Sequence, residues 1–522
     1  MKKIHSSGIG AAVAAVLTLA ASSAFAEDAD IEALKKTIAA QQAQLQALQQ
    51  QLAAQQEALT KLEAHQTAVE DKAKLTAQDQ SKVSMTNNRA TISSADGRSS
   101  IALRALVQAD FAHYDQSAAG PLATDFRRGS NGAAPNRETN GARDLSDGAY
   151  FRRARFGFEG TIARDFSYKF LTEFGGAGTE GPARINDAWI AYTGFAPFTF
   201  QFGAFSPPAN MEDGTTPEDL LFIERASSSE LSRALGGADG RLGFAIKATG
   251  ARWLGSVTFT GRTVNDAEVF DSQNAVVARF AGLALTSSDY NLHIGASGTY
   301  VIHPPDAGVD AGGTRYGIRF RDRPELRVDS TRLIDTGAID AVHAYSYGAE
   351  LGGNWRNIQV QGEKFWYGIE RRTGTLDDPT FGGWYLEGSW MVTGESRRYN
   401  MATGSYQNAR PLVPFTSKGG YGAWELALRY SDTDLNFDAG SGGAALPNAV
   451  RGGEQDIWTL AVNWYLNSNF RLQFNYLDID VGRLNPSRTG SLVFGPAPAS
   501  PPFGAQIGQH LHAYALRSQF AF

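Results

Sequence analysis

From about residue 100 onward the chain alternates. Ile101, Leu103, Ala105, Val107, Ala109 and Phe111 take every second position, with Arg104, Gln108 and Asp110 between them. Trp424, Leu426, Leu428 and Tyr430 oppose Glu425, Ala427 and Arg429, and Leu472, Phe474 and Tyr476 oppose Arg471, Gln473 and Asn475. A period of two marks β-strand. A soluble sandwich alternates too, but here the second face carries repeated arginine and acid, as a wet lumen does. Sixteen strands are predicted near 100–114, 148–161, 166–174, 184–193, 197–205, 239–250, 252–263, 274–285, 290–302, 342–353, 356–369, 380–392, 421–432, 454–465, 469–480 and 511–522. Alternate links are short, as at Ala163-Arg164-Asp165, Gly194-Phe195-Ala196, Gly250-Ala251, Gly353-Asn354-Trp355 and Asn467-Ser468-Asn469. The others are long, at 115–147, 206–238, 303–341, 433–453 and 481–510. Short turns on one side and long loops on the other predict a sixteen-stranded antiparallel transmembrane β-barrel. The link 393–420 departs from that pattern, being long on the short-turn side.

A different periodicity precedes the barrel. With a at Ile31, the a positions are Ile31, Ile38, Leu45, Leu52, Leu59 and Gln66, and the d positions Leu34, Gln41, Leu48, Gln55, Leu62 and Val69. This 3-4 spacing predicts an α-helical coiled coil over about 31–83. Gln41 and Gln55 weaken the seam and can fix register or oligomer number. Before it, Lys2 and Lys3, the apolar run Gly8 to Ala20 and the Ala24-Phe25-Ala26 cleavage site have the three parts of an export signal. The expected organisation is a signal peptide at 1–26, a periplasmic coiled coil at 27–83 and an outer-membrane barrel at 84–522.

Composition sharpens this picture. The net charge of −6 hides an asymmetry: eight of twelve lysines lie at or before Lys82, and all thirty-six arginines at or after Arg89. The absence of cysteine removes disulfides and thiolate chemistry. No stretch after the signal reaches the roughly 20 apolar residues of a membrane helix. The eight histidines are scattered; His510 and His512 share a strand face, with no acid cluster at ligand spacing in the sequence. No G-x-S-x-G or P-loop occurs, so no catalytic residue, metal or cofactor is assigned. Arginines interleaved with acids argue against a nucleic-acid partner.

Several segments in order resemble the phosphate-selective porin family of Gram-negative bacteria. They are Tyr150-Phe151-Arg152-Arg153-Ala154-Arg155 with Phe158-Glu159-Gly160 and Arg164-Asp165, then Phe222-Ile223-Glu224-Arg225. Next come Thr314-Arg315 to Thr336-Gly337, Gly422-Ala423-Trp424-Glu425-Leu426 and Val462-Asn463-Trp464-Tyr465. The last strand, with Tyr514, Leu516, Phe520 and Phe522 on one face, is similar to the aromatic-terminated strand of bacterial outer-membrane barrels. The resemblance implies a homotrimer in outer-membrane lipid, with the third and fifth loops folded into each pore. It also implies an arginine ladder that guides inorganic anions, phosphate or similar. Several members carry an N-terminal periplasmic coiled coil.

The residues support such a ladder independently. Arg315, Arg319, Arg321, Arg323 and Arg327 are all odd-numbered, and in extended chain they share one face with about 6.6–7 Å between alternate residues. Guanidinium groups stay charged and fit oxyanions, and conduction needs weak, repeated sites. Asp329 shares that face and blunts its field. Thr216-Pro217-Glu218-Asp219 reads as a helix start that places Arg225 two turns on, facing the lumen or paired with Glu224 or Asp219. Phe156 and Phe158 set a lipid face, so Arg153 and Arg155 face the lumen; Arg152 points outward unless a bulge turns it. Arg104 and Asp187 sit at positions that belong to the binding site by resemblance. Where the family places lysines ahead of the third-loop helix, this chain has Met211-Glu212-Asp213-Gly214-Thr215-Thr216-Pro217-Glu218. Arg89 to Ile101 also lacks lysine, and from residue 89 forty basic residues face forty-five acidic ones. The expectation is a passive channel with anion preference and a weakened phosphate site. The alternatives are a general diffusion porin and a structural barrel that tethers the envelope through its coiled coil.

Overall fold

The computed structural model describes residues 28–79, 81–86, 89–116, 145–176, 183–236, 238–265, 271–306, 317–486 and 503–522. The expected signal peptide and Arg315 lie outside these residues. The chain divides into two compact units, 1–80 and 81–522.

The described residues of the first unit form one helix, α1, Asp28–Asp79. Its a and d side chains Ile31, Leu34, Leu45, Leu48, Leu52, Leu59 and Leu62 are all exposed. The helix stops short of residue 83, because Lys82–Thr86 forms an antiparallel hairpin with Arg89–Ser93.

In the second unit sixteen strands close a barrel. They are β1 Ser100–Gln116, β2 Gly148–Ile162, β3 Phe166–Glu173, β4 Arg184–Phe195, β5 Phe198–Phe205, β6 Arg241–Thr249, β7 Trp253–Thr263 and β8 Asn274–Thr286. The second half comprises β9 Tyr290–His303, β10 Ala341–Trp355, β11 Ile358–Arg371, β12 Thr380–Met391, β13 Ala423–Phe437, β14 Val450–Tyr465, β15 Phe470–Gly482 and β16 Gln509–Ala521. Each pairs antiparallel with its sequence neighbour, and β16 pairs with β1 from Leu511 opposite Gln116 to Ala521 opposite Leu106. Phe522 and Ala105 complete the seam by exchanging backbone hydrogen bonds of 3.1 Å each way. The Arg89–Ser93 strand extends the sheet alongside Ser100–Ala102.

The polarity is inverted relative to a water-soluble fold. Trp424, Leu426, Leu428, Phe474 and Leu516 are exposed on the outside, while Glu425, Arg429, Gln473 and Arg517 are enclosed. That arrangement is stable only where lipid covers the outer face. Within the lumen, loops 3 (206–240) and 5 (304–340) build an apolar core: Ile223, Leu231, Leu235, Phe320, Leu326 and Ile334 pack on inward Phe365, Tyr367, Ile457, Leu477 and Ile479. The loops therefore narrow the barrel from inside.

Candidate functional site

Loop 3 is fastened to one wall through its backbone. The Arg471 guanidinium donates to the Leu220 carbonyl at 2.9 Å, Asn463 Nδ2 to the Leu221 carbonyl at 2.9 Å and Arg429 Nη1 to the Glu224 carbonyl at 3.1 Å. Ile223 N–H donates to Asn475 Oδ1 at 2.9 Å, and Met211 and Glu212 N–H donate to the Glu363 carboxylate at 2.8 and 3.1 Å. This corrects the helix expected from Thr216. Helical turns occupy Met211–Gly214, α2, and Ser227–Gly236, α3. Residues 220–224 have backbone partners on β13–β16, so they have no need of helical ones.

Arg225 is a clasp within the loop. It donates to the carbonyls of Glu212 at 3.1 Å and Thr215 at 3.0 Å, and it is buried. Glu224 instead pairs with Arg152 at 2.6 Å, Arg517 at 3.0 Å and Arg327 at 3.4 Å. Arg152 reaches it because β2 carries a bulge there: Gln108 faces Arg153 and Ala109 faces Phe151, so the register skips Arg152 and turns it inward.

Loop 5 does not run as an extended ladder, which corrects the expectation of one odd-numbered face. Among its described residues the strands are Arg321–Asp322 and Ile334–Asp335, paired with each other, and the chain turns at Pro324-Glu325, where Glu325 has φ 55°. Arg319 is engaged by Asp335, with Nε–Oδ1 at 2.6 Å. Arg321 is exposed. Arg327 pairs with Glu230 at 2.6 Å. Burial alone raises the Glu230 carboxyl, but Arg327 and Arg233 outweigh it and hold the group down to about 2. Loops 3 and 5 interlock through Ser227, whose N–H donates to Glu325 at 3.2 Å and whose hydroxyl donates to Asp322 at 2.9 Å.

Between these loops and β2–β4 lies a cavity of about 350 Å³. Eight arginines line it, Arg152, Arg153, Arg155, Arg184, Arg233, Arg323, Arg327 and Arg332, with three carboxylates, Glu173, Glu230 and Asp239. Half of the arginines are neutralised. Arg152 and Arg327 have the partners named above; Arg155 meets Glu173 at 2.7 Å and Asp239 at 2.9 Å; Arg233 meets Asp213 and Asp239, each at 2.6 Å. The other four have no carboxylate ion pair among the described residues. Arg153 donates to Gln108 at 2.7 Å and Arg184 to the Gly175 carbonyl at 3.2 Å. The buried Nε atoms of Arg153 and Arg323 have no hydrogen-bond partner among the described residues. Burial, then Arg323 and Arg321, lower the Arg332 guanidinium to about 10, still charged at neutral pH.

A second cavity of about 500 Å³ lies on the turn side, with Arg89, Arg104, Arg398, Arg410 and Arg471 facing Glu218 and Asp219. Arg104 pairs with Glu218 at 2.9 Å. Asp187 pairs with Lys169 at 3.1 Å. A file of polar groups links the two cavities along the wall: Arg153 donates to Gln108, Gln108 to Gln519 at 2.7 Å, and Arg471 to Gln519 at 3.3 Å. The long link 393–420 also enters the lumen. Arg397 donates to the Asp219 carbonyl at 2.6 Å, Asn408 Nδ2 to the Glu218 carbonyl at 2.6 Å and Ser405 to the Gly214 carbonyl at 3.0 Å. It supports loop 3 from below.

The sequence reading missed Arg152, Arg184, Arg233 and Arg332. Only Arg152 had a signal, the conditional bulge. Asp213, in the segment where the family places lysines, pairs with Arg233 at 2.6 Å. Glu218 does line a cavity, and Arg104 neutralises it. Glu218→Gln is therefore expected to remove the nearer of the two carboxylates beside Arg104, leaving Glu159 at 3.8 Å, and to raise chloride permeability relative to potassium. Reversal potentials of the variant and the parent check this; an unchanged value shows that Arg104 lies off the ion path.

A sixteen-stranded barrel, apolar outside and charged inside, with its lumen narrowed by its own loops, is an outer-membrane diffusion channel, a porin. The profile of the family "Phosphate-selective porin O and P" matches residues 129–491, and the chain belongs to that family. It is 24% identical over 379 residues to Porin O of Pseudomonas aeruginosa, covering 69% of this chain and 81% of that protein. It is 28% identical over 362 residues to an uncharacterized protein of Caulobacter vibrioides, covering 67% of this chain and 66% of that one, just under two thirds of its length. The anion-selective porin from Comamonas acidovorans aligns over 81% of this chain and 100% of its own, with 11% identity and a TM-score of 0.43. Family and fold are those of a channel rather than an enzyme.

Proposed function

We propose that this porin prefers anions, passing small inorganic anions such as chloride and phosphate by diffusion. The observation that carries this reading is the group of four arginines, Arg153, Arg184, Arg323 and Arg332, without carboxylate partners in the cavity between loops 3 and 5. Guanidinium groups remain charged at any physiological pH, and a low-dielectric wall focuses their field on the passage. All four line one cavity, and conduction needs weak, repeated sites. Phosphate is expected to block chloride current weakly, because Arg155, Arg233, Arg327 and Arg104 are each occupied by a carboxylate. Titration of single-channel chloride current with phosphate tests this; strong block at micromolar phosphate is the contrary result. The same pairing favours a second reading, a general diffusion porin whose arginines only shape the constriction. Reversal potentials separate the two.

The proposed assembly is a homotrimer in outer-membrane lipid, with α1 as a parallel three-stranded coiled coil in the periplasm. Support for a coiled coil comes from Ile and Leu at a with Leu at d and from their exposure along α1, and support for the threefold order from the family resemblance alone. Oxidised Leu45→Cys protein, with one thiol per chain, is expected to run partly as disulfide-linked dimers after detergent extraction. Wholly monomeric protein argues against the coiled coil.

A further inference from the structure

The outer face carries a cluster that the passage does not use. His510 and His512 alternate with inward Leu511 and Ala513 on β16, and the register sets Asp478 opposite His512 and Asp480 opposite His510. The acid that the sequence pattern failed to supply thus comes from the neighbouring strand. His512 Nδ1 lies 3.2 Å and His510 Nε2 3.5 Å from Asp478 Oδ1, and one ligand atom from each of the three residues falls within 4.8 Å of the others. Asp478 Oδ1 is shielded from solvent and makes no hydrogen bond. The imidazole rings stand at 85° to one another, with centroids 5.0 Å apart.

These separations suit a metal ion. A tetrahedral ion with bonds of about 2.0–2.1 Å holds its ligand atoms roughly 3.3 Å apart. Two imidazoles and a carboxylate form a donor set for a borderline divalent ion and leave a fourth position for water. Tyr476, whose hydroxyl lies 3.0 Å from His512 Nδ1, has to turn that hydroxyl aside. The setting is negative. Asp480 is opposite Asp456, which is opposite Asp432, and like charges directly across a sheet repel. A dication beside them relieves that repulsion. We propose that Asp478, His510 and His512 form a transition-metal site on the outer rim of the barrel at its loop side, taking Zn²⁺ or a similar ion and clipping β15 to β16.

The test is Zn²⁺ titration of untagged, detergent-solubilised full-length protein by calorimetry, with His510→Ala/His512→Ala as comparison. The expected result is one Zn²⁺ per chain, an affinity at least about tenfold lower in the double variant, and no displacement by excess Mg²⁺, which prefers all-oxygen sites. Because the site lies outside the lumen, chloride conductance of the variant serves as the check on its folding. Three results overturn the proposal: no saturable Zn²⁺ binding, equal binding by a double variant that still conducts, or displacement by Mg²⁺, which assigns the ion to the carboxylates alone.

Discussion

Arg429→Ala combined with Arg517→Ala is expected to raise single-channel conductance several-fold while leaving the barrel folded. Arg517 binds Asp110 through Nε at 2.6 Å and Nη2 at 2.7 Å, meets Glu224 at 3.0 Å and donates to the Ile223 carbonyl. Arg429 lies among Glu212 at 3.4 Å, Glu387 at 3.6 Å and Glu325, and its guanidinium stacks 4.4 Å from the Phe222 ring centroid. Removing one member of a buried pair costs about 3–5 kcal/mol, because the remaining charge stays buried and uncompensated. The double variant leaves several carboxylates facing one another beneath residues 220–224. Loop 3 can relieve this by detaching into the lumen, whereas the backbone ladder of the barrel contains neither side chain. Planar-bilayer conductance, with heat-modifiable migration as the check on folding, decides the matter. Unchanged conductance from folded protein shows that the carbonyl contacts of Arg471 and Asn463 and the Glu363 contacts suffice to hold the loop.

That result also bears on what the sequence could reveal. The sixteen strands were legible because each crosses from lipid on one face to a charged interior on the other, so every second residue is constrained along its length. The loops carry no such period. Residues 216–226 contain helix-start signals, but side chains from β13–β16, more than two hundred residues away in sequence, satisfy their backbone. The odd-numbered arginines share a face only if the chain stays extended, and Pro324-Glu325 turns it. Arginine count is likewise ambiguous. Arg429, Arg471 and Arg517 look like pore residues by alternation, yet they fasten loop 3, and Arg225 fastens the loop to itself. Distinguishing a fastening arginine from a conducting one requires knowing which carboxylate or carbonyl it meets, a tertiary fact. The odd link 393–420 was the one loop anomaly visible in advance, and it marks a segment that enters the lumen to support loop 3.

The second large effect concerns selectivity. Arg153→Gln, Arg323→Gln and Arg332→Gln together are expected to abolish anion preference. At about 8 Å a unit charge contributes roughly 0.5–2 kcal/mol to an anion's energy, between bulk water and an effective dielectric of 20. Three such charges change the anion-to-cation permeability ratio by an order of magnitude or more. Glutamine keeps the volume and the hydrogen-bonding capacity, so the comparison isolates charge. Arg319→Gln with Asp335→Asn is the control: the pair is neutral as a unit, so removing both charges leaves the net charge unchanged, and the expected shift is small. The difference between triple variant and control should shrink at high salt, where screening shortens the reach of each charge. Equal shifts in both assign the preference to diffuse loop charge in place of this cavity.

The most direct test of the account is the zero-current potential of the unaltered protein in a steep KCl gradient. The four cavity arginines that have no carboxylate ion pair among the described residues predict the polarity of a chloride-preferring channel. A potential of potassium-preferring polarity, or none at all, contradicts it.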